Sequence, residues 1–109
     1  MQKEASLFKV LSDTTRLRLA SLLLVNGETC VCVLAQALNA PDFKISRHLG
    51  VMRAAGLVQA RREGTWMYYK LVEPRSSFEQ HFQAFLSKGL ADHPTLKQDL
   101  ASLEKASCS

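Results

Sequence analysis

Residues 29–56 read TCVCVLAQALNAPDFKISRHLGVMRAAG, and the fold turns on this stretch. Val31, Leu34, Ala35 and Leu38 recur at intervals of three and four, the apolar stripe of a short helix with Thr29 as its cap. Asn39-Ala40-Pro41 breaks that helix. A second helix starts at Asp42, a plausible cap, and places Ile45, His48, Leu49 and Met52 on one face; Phe43, Lys44, Ser46, Arg47 and Gly50 lie opposite or on its flanks, and Gly56 closes it. Two short helices joined by a tight break, the second turning cations away from its apolar side, make a helix-turn-helix pattern.

On the N-terminal side, Leu7, Val10 and Leu11 mark a first helix over roughly the first ten residues. Ser12 and Asp13 then offer cap oxygens to a central helix carrying Leu17, Leu19, Ala20, Leu22, Leu23 and Leu24, which Asn26-Gly27 ends. On the C-terminal side the period changes. LVQARR (57–62), the turn Glu63-Gly64-Thr65 and WMYYKLV (66–72) read as a β-hairpin. Beyond Pro74, a last helix carries Phe78, Phe82, Phe85 and Leu86 until Gly89 and Pro94 interrupt it. The expected architecture is therefore mainly α with a β-hairpin wing, a winged helix-turn-helix of order ααααββα. Residues 1–92 form the DNA-binding and dimerisation domain, and residues 93–109 a weakly helical or disordered C-terminal tail.

The 109 residues, 47% hydrophobic and 22% charged, suit one globular domain with a modest core. Fourteen Lys and Arg against ten Asp and Glu leave a net charge of +4, which favours a polyanionic partner. The longest apolar stretch, Leu17 to Val25, is interrupted by Arg18 and Ser21 and falls short of the ~20 residues of a bilayer span. The first ten residues lack a secretory pattern, so the expectation is a cytoplasmic protein with no membrane partner. There is no Ser-His-Asp order, no phosphate-binding glycine loop and no paired carboxylates, which argues against an enzyme.

On double-stranded DNA, the second helix of the motif presents Lys44, Ser46 and Arg47 to base edges or phosphates, while His48 buttresses that helix or touches a phosphate. Arg61 and Arg62, just before the hairpin turn, reach the backbone or the adjacent minor groove. One such module makes few phosphate contacts, so a homodimer reading two half-sites is expected. The apolar faces of the first and last helices are its natural surface, although Phe78, Phe82 and Phe85 also suit an ordinary core.

Three cysteines cannot pair off completely, which leaves thiols for metal or redox chemistry. Cys30 and Cys32 open the third helix. Residues two apart stand about 200° around a regular helix, so both sulfurs meet one ion only if the first turn unwinds. On spacing alone a ligand pair and two structural cysteines both remain open. A thiol redox enzyme would use Cys-x-x-Cys beside a βαβ unit, and neither is present.

LSDTTRLRL (11–19), ETCVC (28–32), KISRHL (44–49) and REGTWMYY (62–69) stand in an order and spacing that resembles the ArsR/SmtB family of metalloregulatory repressors. The resemblance covers about residues 5 to 72 and implies a winged-helix homodimer that binds operator DNA when metal-free and releases it when metal binds. It also implies that Cys30 and Cys32 are thiolate ligands for arsenite or antimonite, As(III) or Sb(III), acting as inducer. Arsenite sensors of the best-known type carry a third cysteine where this chain has Ala35. Either two thiolates suffice, with the serine-flanked Cys108 passive, or Cys108 completes a trigonal set. Cadmium or lead sensors of the family add cysteines from an N-terminal segment, and no cysteine precedes Cys30 in this sequence, so the expectation favours arsenite over cadmium. Zinc sensors use His and carboxylates on the last helix, only faintly matched by Glu79, His81, Asp92 and His93. A cadmium-, lead-, zinc- or thiol-redox-responsive repressor of the same fold is the alternative.

Overall fold

The computed structural model describes residues 1–108. In chain order it runs α1 (Gln2–Val10), α2 (Thr14–Asn26), β1 (Thr29–Cys30), α3 (Val31–Leu38), α4 (Asp42–Ala54), β2 (Val58–Glu63), β3 (Trp66–Leu71), α5 (Ser77–Gly89) and α6 (Pro94–Lys105). The Asp13 carboxylate caps α2 by accepting from the Arg16 backbone N–H at 3.0 Å. Leu19, Leu22 and Leu23 of α2, Leu34 of α3, and Ile45, Leu49 and Met52 of α4 are fully buried, so the central helix and the two helices of the helix-turn-helix share one core. Each such side chain contributes on the order of 1.5–3 kcal/mol. Asn39, with φ 52°, takes the left-handed conformation that ends α3 and turns the chain toward α4.

The three strands form an antiparallel sheet in the order β1-β3-β2. Gly64, with φ 62°, opens the two-residue turn between β2 and β3, and Glu63 faces Trp66 across it. The hairpin is thus the expected wing, anchored by a short strand that the helical periodicity conceals.

Three local expectations need correction. Thr29 does not cap α3; it lies in β1, where its hydroxyl donates to the Gly27 carbonyl and accepts from the Asn26 amide, both at 2.8 Å. Asp42 is the first residue of α4 rather than its cap, and Pro41 holds the cap position; the carboxylate still complements the N-terminal end of the helix dipole. Residues 94–105, expected as a weak or disordered tail, form a 12-residue helix with Leu96 and Leu103 buried in the common core. Pro94 starts this helix instead of merely breaking the previous one: it stands in the first turn, where its missing N–H costs nothing, and the His93 ring caps the Thr95 N–H at 3.1 Å. Among the described residues, no helix is long and apolar enough to cross a membrane.

Candidate metal centre and nucleic-acid interface

Gly27, with φ 79°, ends α2, and the Thr29 hydroxyl bonds draw the chain into an extended strand. In β1, Thr29 pairs with Tyr69 and Cys30 with Tyr68. Cys30 therefore stands outside α3, with φ −70° and ψ 143°, and only Cys32 lies within the helix. The 200° separation expected for two helical residues does not apply, and the two sulfurs lie 3.6 Å apart with the first turn of α3 intact. An ion shared by this pair would not require unwinding α3.

The third cysteine arrives from the far end of the chain. On α6, Asp99 is only 3% exposed and accepts two hydrogen bonds from the Arg18 guanidinium of α2, each 2.8 Å long. That bidentate pair raises the Arg18 pKa, with burial opposing it. Past α6 the chain returns to α3, where Gln36 bonds the backbone of Ser107. Cys32 and Cys108 are joined as a disulfide, their Cα atoms 6.2 Å apart. The sulfurs of Cys30, Cys32 and Cys108 all lie within 4.8 Å of one another. Among the described residues they are the one set of three or more His, Cys, Asp or Glu donors close enough to share an ion. Three of the four zinc-like residues take local roles: Glu79 accepts from Arg75, His81 bonds the Ser77 carbonyl, and His93 caps α6.

On α4, Lys44, Ser46 and Arg47 are all exposed, and among the described residues neither cation forms an ion pair. His48, grouped with them in the sequence, faces the other way. It is 9% exposed, with its Nδ1 3.3 Å from Arg16 Nη1 and 4.0 Å from Asp13 Oδ2. Burial pushes its pKa down, Arg16, Arg47 and Lys44 add to that, and Asp13 opposes it. His48 is a neutral buttress between α4 and the start of α2, not part of the exposed face. The wing arginines also differ from each other. Arg61 donates to Glu28 at 2.8 Å and to Glu63 at 2.7 Å, with its guanidinium 4.8 Å from the Tyr68 ring centre. These hydrogen bonds raise the Arg61 pKa, and the bond from Arg61 lowers that of Glu28. Arg62 is exposed and, among the described residues, makes no ion pair. The sequence reading missed Glu28, Asp99 and Gln36, whose partners lie 33, 81 and 71 residues away.

Residues 13–60 match the family model for bacterial regulatory proteins of the arsR family. The chain is 45% identical over 74 residues to an uncharacterized HTH-type transcriptional regulator of Methanocaldococcus jannaschii, covering 68% of this chain and 83% of that one. The chain belongs to the ArsR family. Over 65 residues it is 49% identical to the arsenical resistance operon repressor of Escherichia coli K12, covering 60% of this chain but 56% of that repressor, just over half its length. Among solved structures it is similar to the homodimeric winged helix-turn-helix DNA-binding domain of a possible ArsR-family transcriptional regulator from Mycobacterium bovis. The TM-score is 0.66 at 29% identity, over 85% of this chain and 82% of that one. This ArsR-family chain is accordingly a DNA-binding transcriptional regulator rather than an enzyme.

Proposed function

We propose that the protein is a homodimeric repressor that binds its operator when metal-free and releases it when arsenite or antimonite is held by Cys30, Cys32 and Cys108. The observation that carries this reading is the gathering of three sulfurs within 4.8 Å where α3, the wing sheet and the C-terminal segment meet. Soft thiolates suit a soft metalloid, and trivalent arsenic prefers three of them in a trigonal pyramid, so the donor set fits once the Cys32–Cys108 bond is reduced. Cys32 sits on the first helix of the reader, and Cys30 on a strand hydrogen-bonded to the wing. One arsenic held by these sulfurs ties α3 to β1 and through it to β3, so that a shift of Cys32 on binding moves α4 against the wing. A coupling of 1–3 kcal/mol then lowers operator affinity ~5- to 150-fold.

DNA contact falls to Lys44, Ser46 and Arg47 of α4 and to Arg62 of the wing, with Arg61 already engaged by Glu28 and Glu63. The dimer surface lies along α1 and α5. Phe8 and Phe85 are 57% and 65% exposed there, and Phe8 stacks edge-on against Phe78 and Phe82 at 5.8 and 5.3 Å. A second copy of the chain is the partner that covers this face, and the homodimeric Mycobacterium bovis relative supports it.

The test is a fluorescence-anisotropy titration of reduced protein on its own upstream promoter DNA, repeated with arsenite, antimonite, cadmium and zinc. Release by arsenite or antimonite alone is expected, with release abolished but operator binding intact in Cys30→Ser/Cys32→Ser. Release by cadmium or zinc only would redraw the ligand set. A second reading is favoured by the Cys32–Cys108 bond itself. A peroxide oxidises the two thiols to the disulfide, becomes two waters or a water and an alcohol, and thereby removes two of the three donors. DNA release by peroxide, reversed by a phosphine and absent in Cys108→Ser, distinguishes it.

A further inference from the structure

We propose that Gln36 is the positioning residue that recruits Cys108, so that this one side chain decides whether the site presents two sulfurs or three. The inference rests on the thiolate reading above and deepens it. Gln36 lies four residues after Cys32 on α3, one turn along the same face. Its side-chain amide makes a two-way clamp on the residue before Cys108: Nε2 donates to the Ser107 carbonyl at 2.7 Å, and Oε1 accepts from the Ser107 N–H at 3.2 Å. The side chain thus pairs with the backbone as a neighbouring strand would, and Nε2 also lies 3.9 Å from Cys108 Sγ.

The clamp is needed because α6 ends before the cysteine. Ala106 leaves the helix extended, with φ −77° and ψ 141°, and an extended segment with no partner strand has nothing to hold it against α3. Among the described residues, every hydrogen bond made by Ser107 and Cys108 goes to Gln36. Apart from its attachment to α6, which packs on α3, the segment is otherwise tied by the bond to Cys32, which reduction removes. Glutamine is also the residue type the clamp demands. Glutamate lacks the donor for the Ser107 carbonyl and lysine lacks the acceptor for its N–H, whereas the amide supplies both.

The consequence is selectivity among trivalent arsenicals. Arsenous acid exchanges three As–O bonds for three As–S bonds, each thiol proton leaving with a hydroxyl as water and arsenic keeping its oxidation state. Phenylarsine oxide takes only two thiols and releases one water, because carbon holds its third valence. A site of Cys30 and Cys32 alone satisfies the second ligand, while the first gains from Cys108.

The experiment uses the full reduced chain, kept so by a phosphine, as wild type, Gln36→Ala and Cys108→Ser. Calorimetric titrations with arsenite and with phenylarsine oxide are combined with arsenic X-ray absorption to count sulfur neighbours. Loss of the clamp should weaken arsenite roughly 10- to 100-fold, the scale of two hydrogen bonds. Sulfur neighbours should fall from three toward two, and phenylarsine oxide affinity, which also reports an intact fold, should stay unchanged. If Cys108→Ser weakens arsenite and Gln36→Ala does not, the tail docks without Gln36 and this inference fails while the three-thiolate reading stands. If neither variant weakens arsenite, the three-thiolate reading fails and takes this inference with it. Equal weakening of both ligands in Gln36→Ala would assign Gln36 to the integrity of α3 and overturn its positioning role.

Discussion

The outer face of α4 and the seam between α2 and α6 each carry arginine, to opposite ends. Arg47 on α4 is exposed and, among the described residues, forms no ion pair, whereas Arg18 in the seam spends two donors on a carboxylate that is 3% exposed. The wing holds both kinds side by side, with Arg61 clamped between two glutamates and Arg62 free of ion pairs among the described residues. A net positive charge therefore says less about DNA binding than the existing partners of each cation do. A guanidinium already saturated by carboxylates serves the fold, and one left to water is available to phosphate.

In the seam, losing the arginine leaves a buried charge without its partner. Arg18→Ala strands the buried Asp99 carboxylate and should cost on the order of 3 kcal/mol of stability by urea denaturation. A loss below about 1 kcal/mol would mean that the pair does not hold α6. Arg47→Ala should do the reverse. Stability stays within about 0.5 kcal/mol, while operator affinity falls by roughly 1–3 kcal/mol if Arg47 reads a base, or the salt slope drops by about one if it meets a phosphate. Unchanged binding and an unchanged slope would remove Arg47 from the DNA face.

The wing sharpens the contrast with a smaller effect. Glu28→Gln frees Arg61 on one side, so operator binding should tighten and its salt dependence steepen, while Arg62→Ala should weaken binding more than Arg61→Ala. Equal effects of the two alanines would show that the glutamates do not withhold Arg61 from DNA. The finest probe is pH. Burial keeps the His48 pKa below its ordinary 6.5, so the unfolded chain takes up the proton first. This contribution to stability is complete above about pH 6.5 and declines as pH falls through that value toward the lower folded pKa. His48→Gln should flatten the melting temperature across that window. The lowered pKa of Asp13 acts in a separate, more acidic window, being complete above its ordinary 3.8 and lost below it.

Much of the fold is legible in the chain because its signals are local. The stripe from Val31 to Leu38, the Asp13 cap, the Asn39 break and the Gly64 turn each lie within a few residues of the element they shape. The exposed face of Lys44, Ser46 and Arg47 follows from helical periodicity alone, and that same periodicity already places His48 with Ile45 and Leu49 on the inner side. Periodicity could not reveal β1, since two residues have no period and Thr29-Cys30 becomes a strand only by pairing with Tyr69 and Tyr68. Pro94 was ambiguous for a related reason. A proline that stops one helix also suits the first turn of the next, and burial of Leu96 and Leu103 against the core decides between the two.

The order of helices and hairpin, and the cations that α4 leaves facing outward, are legible in the residues alone. The folded chain alone sets Cys30 outside the helix, ties Arg61 to Glu28 and brings Cys108 to the other two sulfurs. Backbone geometry and apolar spacing act over a few residues and can be read in one dimension. The cysteine cluster closes over 76 residues, through a packed helix, a buried ion pair and one glutamine amide, and those contacts exist only once the chain has returned on itself.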